Sequence, residues 1–264
     1  MSDCKIHSTA LVAESAKLGK DVKIGPYAII EEDVEIGDHC FIDAHAIVLS
    51  HVQMGSRNHL HPHTVIGGLP QDVSFDSEVL SYVVIGNGNV FREGITVNRA
   101  TEQGGSTNIG SDCYFMNNSH VAHDCKVESN TYFASGATIG GFVTVGERVF
   151  LGGGAMVHQF CRVGELAMVS GVIGVPQDVI PFSMIAGGTP GKHYRLNTIG
   201  LRRAGITGER YKSLTKAFDC LKKGRSIDAV TETEEVVRLK IWLGAKSKRG
   251  ISAFVSLKKK GVQE

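Results

Sequence analysis

The segment NNSHVAHDC, residues 117–125, sets His120 and His123 three apart, with Asp124 directly after the second. An imidazole with a pKa near 6.5 can accept a proton at neutral pH, and a neighbouring carboxylate can orient it and stabilise its charged form. The pair can therefore be read as the working groups of an active site or as ordinary surface residues of a repeat. His158 and Gln159 make a second polar pair in GAMVHQF, and Gln71 and Asp72 a third in GLPQD. The histidines of HLHPH, namely His59, His61 and His63, have no cysteine or carboxylate beside them in the sequence. They read as surface residues rather than metal ligands.

What positions these residues is a repeat. Large apolar residues recur every six positions, with eleven consecutive hits from Ile6, Val12 and Leu18 to Leu60 and Ile66. The beat restarts one residue out of phase at Ile85, Phe91 and Val97, and then runs from Ile109 through Val121 and Ile139 to Val175. A second beat of small residues lies two positions earlier, as in Ala28, Cys40, Ala137 and Ala155. An α-helix cannot hold this beat on one face, because six steps of about 100° overshoot by a sixth of a turn. Short strands joined by tight turns can. Three strands make a coil, so equivalent residues stack 18 apart at the ~4.8 Å strand spacing. The prediction is a parallel β-helix of hexapeptide repeats over residues 1–189, about nine coils and roughly 40 Å long. With 32 glycines in 264 residues, the corners are expected to use glycine for positive φ. Two stretches, 68–82 and 99–107, break the beat and read as loops, where binding residues concentrate. Val121 points inward on this frame, so His120 and His123 point outward. Gly141 lies one coil beyond His123, and its missing side chain is expected to leave room for a substrate beside an exposed imidazole.

From Pro190 the beat is gone, and residues 190–264 read as an all-α domain. Leu214, Phe218 and Leu221 share one helical face. Ser226 is the expected N-cap of a further helix carrying Val230, Val237 and Trp242. LKKKGVQE reads as a frayed tail. Charge divides at the same point. Residues 1–189 hold 10 Lys+Arg and 20 Asp+Glu, a balance of −10, whereas residues 190–264 hold 18 and 7, a balance of +11. A basic segment on an acidic body suits an anionic partner. Its cations are not interleaved with stacking aromatics, which argues against nucleic acid. No apolar run approaches the ~20 residues of a membrane span, and the first residues lack a signal-peptide pattern. Six scattered cysteines without C-x-x-C suggest reduced thiols and a cytoplasmic setting.

Several motifs together resemble one family. GLPQD, FRE (91–93), HVAHDC (120–125), GAMVHQF (154–160), VPQDVIPFSMIAGGTP (175–190) and LNTIGLRRAGIT (196–207) are similar to those of the UDP-N-acetylglucosamine 3-O-acyltransferases that begin lipid A biosynthesis. The resemblance spans nearly the whole chain and implies a left-handed β-helix and a homotrimer. The trimer fits the apolar groups expected on the outer faces, among them Tyr114, Met116, Phe150 and Met156. It implies transfer of a 3-hydroxyacyl chain from an acyl carrier protein thioester to the sugar 3-hydroxyl, with no cofactor and no metal. His123 matches the general base, Asp124 its orienting neighbour, and Gly141 the backbone oxyanion donor. Gln71 and Asp72 match glucosamine-binding positions, and His120, His158 and Gln159 line the nucleotide-sugar site. Asn197 and Arg203 match nucleotide-binding positions. Gly171 matches the position that measures the acyl chain, where glycine implies a chain of about fourteen carbons. Ser74, Phe142, Ile199 and Ala204 stand where the family usually has polar or basic residues. Those departures keep open N-acylation of a 3-amino analogue of the sugar, while a non-catalytic scaffold that binds a nucleotide sugar is a separate alternative from another class.

Overall fold

The computed structural model describes residues 4–255; the tail expected over 257–264 lies outside them. The chain winds as a left-handed parallel β-helix whose three faces contain 11, 9 and 8 strands. Most strands are two residues long, and each pairs in parallel with the strand of the next coil. On the second face Val121 pairs with Ile139, and Ile139 with Val157, the predicted step of 18. Inward residues form one continuous core. Phe91, Phe115 and Phe133 stack through it with ring centroids 4.9 and 4.8 Å apart, close to the strand spacing itself. Each such ring removes enough apolar area from water to stabilise the fold by about 1.5–3 kcal/mol.

The glycines of the repeat act differently from expectation. The corner residue with positive φ is usually not glycine but Asp, His, Asn, Arg or an aromatic residue, such as Asp33, His45, Asn118 and Phe142. Repeat glycines such as Gly37 and Gly146 instead permit close approach of the next coil. A Cβ on Gly37 would stand 2.7 Å from the carbonyl carbon of Gly55, and one on Gly146 would stand 2.5 Å from the nitrogen of Glu165.

Both interruptions are loops, at 69–81 and 99–105 between flanking strands. The segment after Pro190 is not all-α. It opens with the strand Lys192–Leu196, which pairs antiparallel with Ser183–Ala186 and closes the end of the first face. Three helices follow: α1 (Thr198–Arg203), α2 (Gly208–Lys222) and α3 (Glu234–Gly244). Leu214 and Phe218 are buried against the end of the β-helix, with Leu221 packed beside them, as the spacing predicts. The last helix differs from its prediction. Ser226 does not cap it; its hydroxyl bonds Asp228 in a local turn, and α3 begins eight residues later. The buried face of α3 is Val236 and Leu239, while Val237 faces outward. A final segment, residues 249–254, returns to the β-helix through bridges to Asp178 and His193. Among the described residues no helix is long and apolar enough to cross a membrane.

Candidate active site

His123 stands at a corner of the coil between the second and third faces, outside the core but only 8% exposed. The expectation of an exposed ring with open space beside Gly141 does not hold. The imidazole itself fills that space, since a Cβ on Gly141 would lie 2.5 Å from its Cε1 and 2.6 Å from its Nε2. The His123 Nδ1 is 2.8 Å from Asp124 Oδ2. Asp124 is held in turn by the 99–105 loop. Its Oδ2 accepts hydrogen bonds from the Thr101 N–H at 3.1 Å and the Thr101 hydroxyl at 2.8 Å, and its own N–H donates to Thr107 Oγ1 at 2.8 Å. A carboxylate fixed this way keeps the proton on Nδ1 and leaves Nε2 as the basic nitrogen. Among the described residues nothing hydrogen-bonds that Nε2.

The Gly141 amide is also free. At several corners the same amide is capped by a side chain from the next coil: Asp38 N–H donates to Ser56 Oγ, and Ser111 N–H to Ser129 Oγ. The residue in that register above Gly141 is Gln159, and among the described residues no hydrogen bond engages the Gly141 N–H. A basic nitrogen and an uncapped amide therefore lie on adjacent rungs. A proton can be taken at one, and negative charge on an oxygen received at the other.

Around them is a cleft of about 400 Å³, lined by Gln71, His120, His123, Gly141, His158 and Gln159 among others. His120 faces outward from its strand with Nδ1 2.7 Å from Thr96 Oγ1, and burial lowers its pKa, opposed by the Thr96 contact. Asp72 sits at the rim in the 69–81 loop. The Ser74 hydroxyl donates to its carboxylate at 2.7 Å and lowers its pKa. Buried Arg99 ties the two loops together by donating to the Ser77 carbonyl at 3.2 Å.

The other expected residues lie elsewhere on the chain. Gly171 is exposed at the opposite corner of the second face. Asn197 and Arg203 line a separate hollow of about 590 Å³ with Tyr132, Met168 and Ile199. The Asn197 side chain is engaged at both ends, its Nδ2 donating to the Leu166 carbonyl and its Oδ1 accepting from the Gly200 N–H at the start of α1. A larger hollow of about 650 Å³, among Ala10, Leu11, Glu31 and Ser50, contains none of these residues.

The histidine cluster also changes. Asp43, one coil earlier, supplies the carboxylate that the sequence neighbourhood lacks, with His59 Nε2 2.8 Å and His61 Nδ1 3.7 Å from its Oδ2. The His59 and His61 rings are stacked, with centroids 4.0 Å apart and planes only 24° apart. Asp43, His59 and His61 each place a ligand atom within 4.8 Å of the others, so the carboxylate completes a group that could hold a metal ion, against the reading of these histidines as plain surface residues.

Known proteins resemble this chain over nearly its whole length. The bacterial transferase hexapeptide family model matches residues 15–46, 33–68 and 106–141. The model of UDP-N-acetylglucosamine O-acyltransferase domain 2 matches residues 178–262. The acyl-[acyl-carrier-protein]–UDP-N-acetylglucosamine O-acyltransferase of Syntrophobacter fumaroxidans is 38% identical over 94% of this chain and 99% of its own length. The same enzyme from Thermodesulfovibrio yellowstonii is 38% identical over 94% and 98%. Among solved structures, the UDP-N-acetylglucosamine acyltransferase of Bacteroides fragilis superposes with a TM-score of 0.87 at 30% identity, covering 93% of this chain and 99% of that one. The Acinetobacter baumannii structure gives 0.88 at 31%, covering 94% and 99%. The protein belongs to the UDP-N-acetylglucosamine O-acyltransferase family of hexapeptide-repeat enzymes.

Proposed function

We propose that the protein transfers a 3-hydroxyacyl chain from acyl carrier protein to the 3-hydroxyl of UDP-N-acetylglucosamine, the first step of lipid A biosynthesis. One observation carries the residue assignment: the free Nε2 of His123, backed by Asp124, lies against Gly141 and its uncapped N–H. In this reading His123 Nε2 takes the proton of the sugar hydroxyl as its oxygen attacks the thioester carbonyl. The oxyanion forms toward the Gly141 N–H. Collapse breaks the carbon–sulfur bond, and the imidazolium returns its proton to the departing thiolate. Asp124 stabilises the transient imidazolium, and one rigid amide donor is worth about 3 kcal/mol at the transition state. No step calls on a metal or a cofactor.

Gln71, Asp72, His120, His158 and Gln159 hold the sugar end in this reading, and Gly171 sets the reach of the acyl chain across the second face. Asn197 and Arg203 bind the nucleotide. They line a hollow apart from the His123 cleft on one chain, which supports a homotrimer in which a neighbouring copy completes each site. Exposed Met156, Tyr132 and Val172 on the outer faces support the same assembly. The basic C-terminal part suits an acidic carrier protein, and a reduced cytoplasmic setting suits the free cysteines.

The test is an acyl-transfer assay with UDP-N-acetylglucosamine and carrier-bound 3-hydroxyacyl donors of several lengths, with mass spectrometry of the product. Ester formation that falls at least 10²-fold in His123→Ala, with nucleotide-sugar binding retained, is the expected result. Undiminished turnover in that variant sinks the base assignment. An amide product, formed only with a 3-amino sugar, sinks the choice of acceptor.

A further inference from the structure

Arg249 lies 90 residues beyond the repeat that builds the cleft, yet its side chain ends at the cleft wall. Its Nε donates to the Gln159 carbonyl at 3.0 Å, and its Nη2 is 2.8 Å from His158 Nδ1. The backbone that presents it is fixed independently of that side chain. Asp178 N–H donates to the Gly250 carbonyl at 2.8 Å, and Ser252 N–H to the Asp178 carbonyl at 2.9 Å. Next to it, the Lys248 ammonium sits 4.4 Å over the ring of Phe160, which stacks on Phe142.

We infer that Arg249 is a positioning residue that fixes His158 in the tautomer with its proton on Nε2, so that the ring offers a hydrogen-bond donor to the ligand in the cleft. The argument is one of donors and acceptors. A guanidinium has five N–H donors, no acceptor, and does not lose its proton in proteins. A nitrogen 2.8 Å from it must therefore present a lone pair, and a protonated Nδ1 would set two hydrogens against each other. The Gln159 carbonyl, 3.2 Å from the same Nδ1, has a second lone pair that could accept a proton from it, but a proton on Nδ1 would also face the N–H of the closer guanidinium nitrogen at 2.8 Å. With Nδ1 accepting, the neutral ring carries its proton on Nε2. His123 is set the opposite way, because Asp124 requires the proton on Nδ1. Two histidines two rungs apart thus face the cleft in complementary roles, one as acceptor and one as donor, through partners from different parts of the chain.

This inference rests on the reading of His158 as a sugar-nucleotide contact, and two readouts separate the two claims. The full-length protein is labelled with ¹⁵N-histidine, and the His158 ring signals are assigned through His158→Gln. Unaltered protein is expected to show an unprotonated Nδ1 and a protonated Nε2. Arg249→Ala is expected to give a mixture of tautomers, and Arg249→Lys, which keeps a charged donor, to restore most of the original pattern. A proton on Nδ1 in the unaltered protein, or signals unmoved in Arg249→Ala, overturns the inference. In steady-state assays the KM for UDP-N-acetylglucosamine should rise about tenfold in Arg249→Ala, the scale of one hydrogen bond to a charged group, with kcat little changed. A shifted tautomer with unchanged KM confirms the hold of Arg249 on the ring and removes His158 from the sugar-nucleotide site.

Discussion

Gly141 occupies the tightest point of the proposed site, and its lack of a side chain matters for a steric reason. A methyl group there would meet His123 Cε1 at 2.5 Å and Nε2 at 2.6 Å, so Gly141→Ala must push the imidazole off its seat. The β-helix core does not include this corner, so the variant should fold while acyl transfer falls by about 10²-fold, as for a displaced general base. Full activity in a folded Gly141→Ala protein would mean that the ring is not the base. Thr101→Val isolates the carboxylate's support. It deletes the hydroxyl at 2.8 Å from Asp124 Oδ2 and keeps the backbone N–H bond. The expected loss is about tenfold in kcat/KM, the scale of one hydrogen bond to a charged group. The repeat count alone turns His123 and Gly141 outward on adjacent rungs. It could not reveal Thr101 or Thr107, because the irregular 99–105 loop breaks the 18-residue bookkeeping that makes other neighbours readable. Arg249 was visible only as charge in KSKRG, since a contact across 90 residues leaves no period to follow.

At the scale of elements, the repeat was readable because one physical demand, an inward aliphatic residue on every short strand, recurs throughout the β-helix. The helical end was readable where α2 has its own period and unreadable where chain closure decides. The strand Lys192–Leu196 forms because the last rung offers unpaired backbone groups, a demand absent from its local sequence. His193 within that strand shows how the end is sealed. Its Nε2 accepts the Ile180 N–H at 3.0 Å, its Nδ1 is 2.8 Å from the Ser252 carbonyl, and burial pushes its pKa down to about 4. The unfolded chain takes up this proton near pH 6.5, whereas the folded one resists until about pH 4. The neutral ring's contribution is therefore complete above pH 6.5 and is lost as the pH falls from there to about 4, amounting to about 3 kcal/mol. Denaturant midpoints measured across that window should fall steeply for the native chain and less steeply for His193→Gln. Parallel slopes would show that the seal does not titrate.

At the scale of the whole molecule, the separation of the two hollows sets a requirement on assembly. His123 and Gly141 belong to one, Asn197 and Arg203 to the other, so in the proposed reading a sugar at the first and its nucleotide at the second bridge hollows that share no lining residue on one chain. If a neighbouring copy in a trimer supplies the second, each site takes its base from one subunit and its nucleotide contacts from the next. His123→Ala and Arg203→Ala homotrimers should then each be nearly inactive, for different reasons. When the two variants are co-expressed and assemble at random, about a quarter of the interfaces should pair an intact His123 with an intact Arg203, and about that fraction of wild-type activity should return. Mixing the two purified homotrimers without subunit exchange should restore nothing. Sedimentation of the unaltered protein should give three times the 28.3 kDa chain mass. A monomer, or a co-expressed mixture as inactive as its parents, would require both sets of groups to serve one chain alone, although the two hollows share no lining residue.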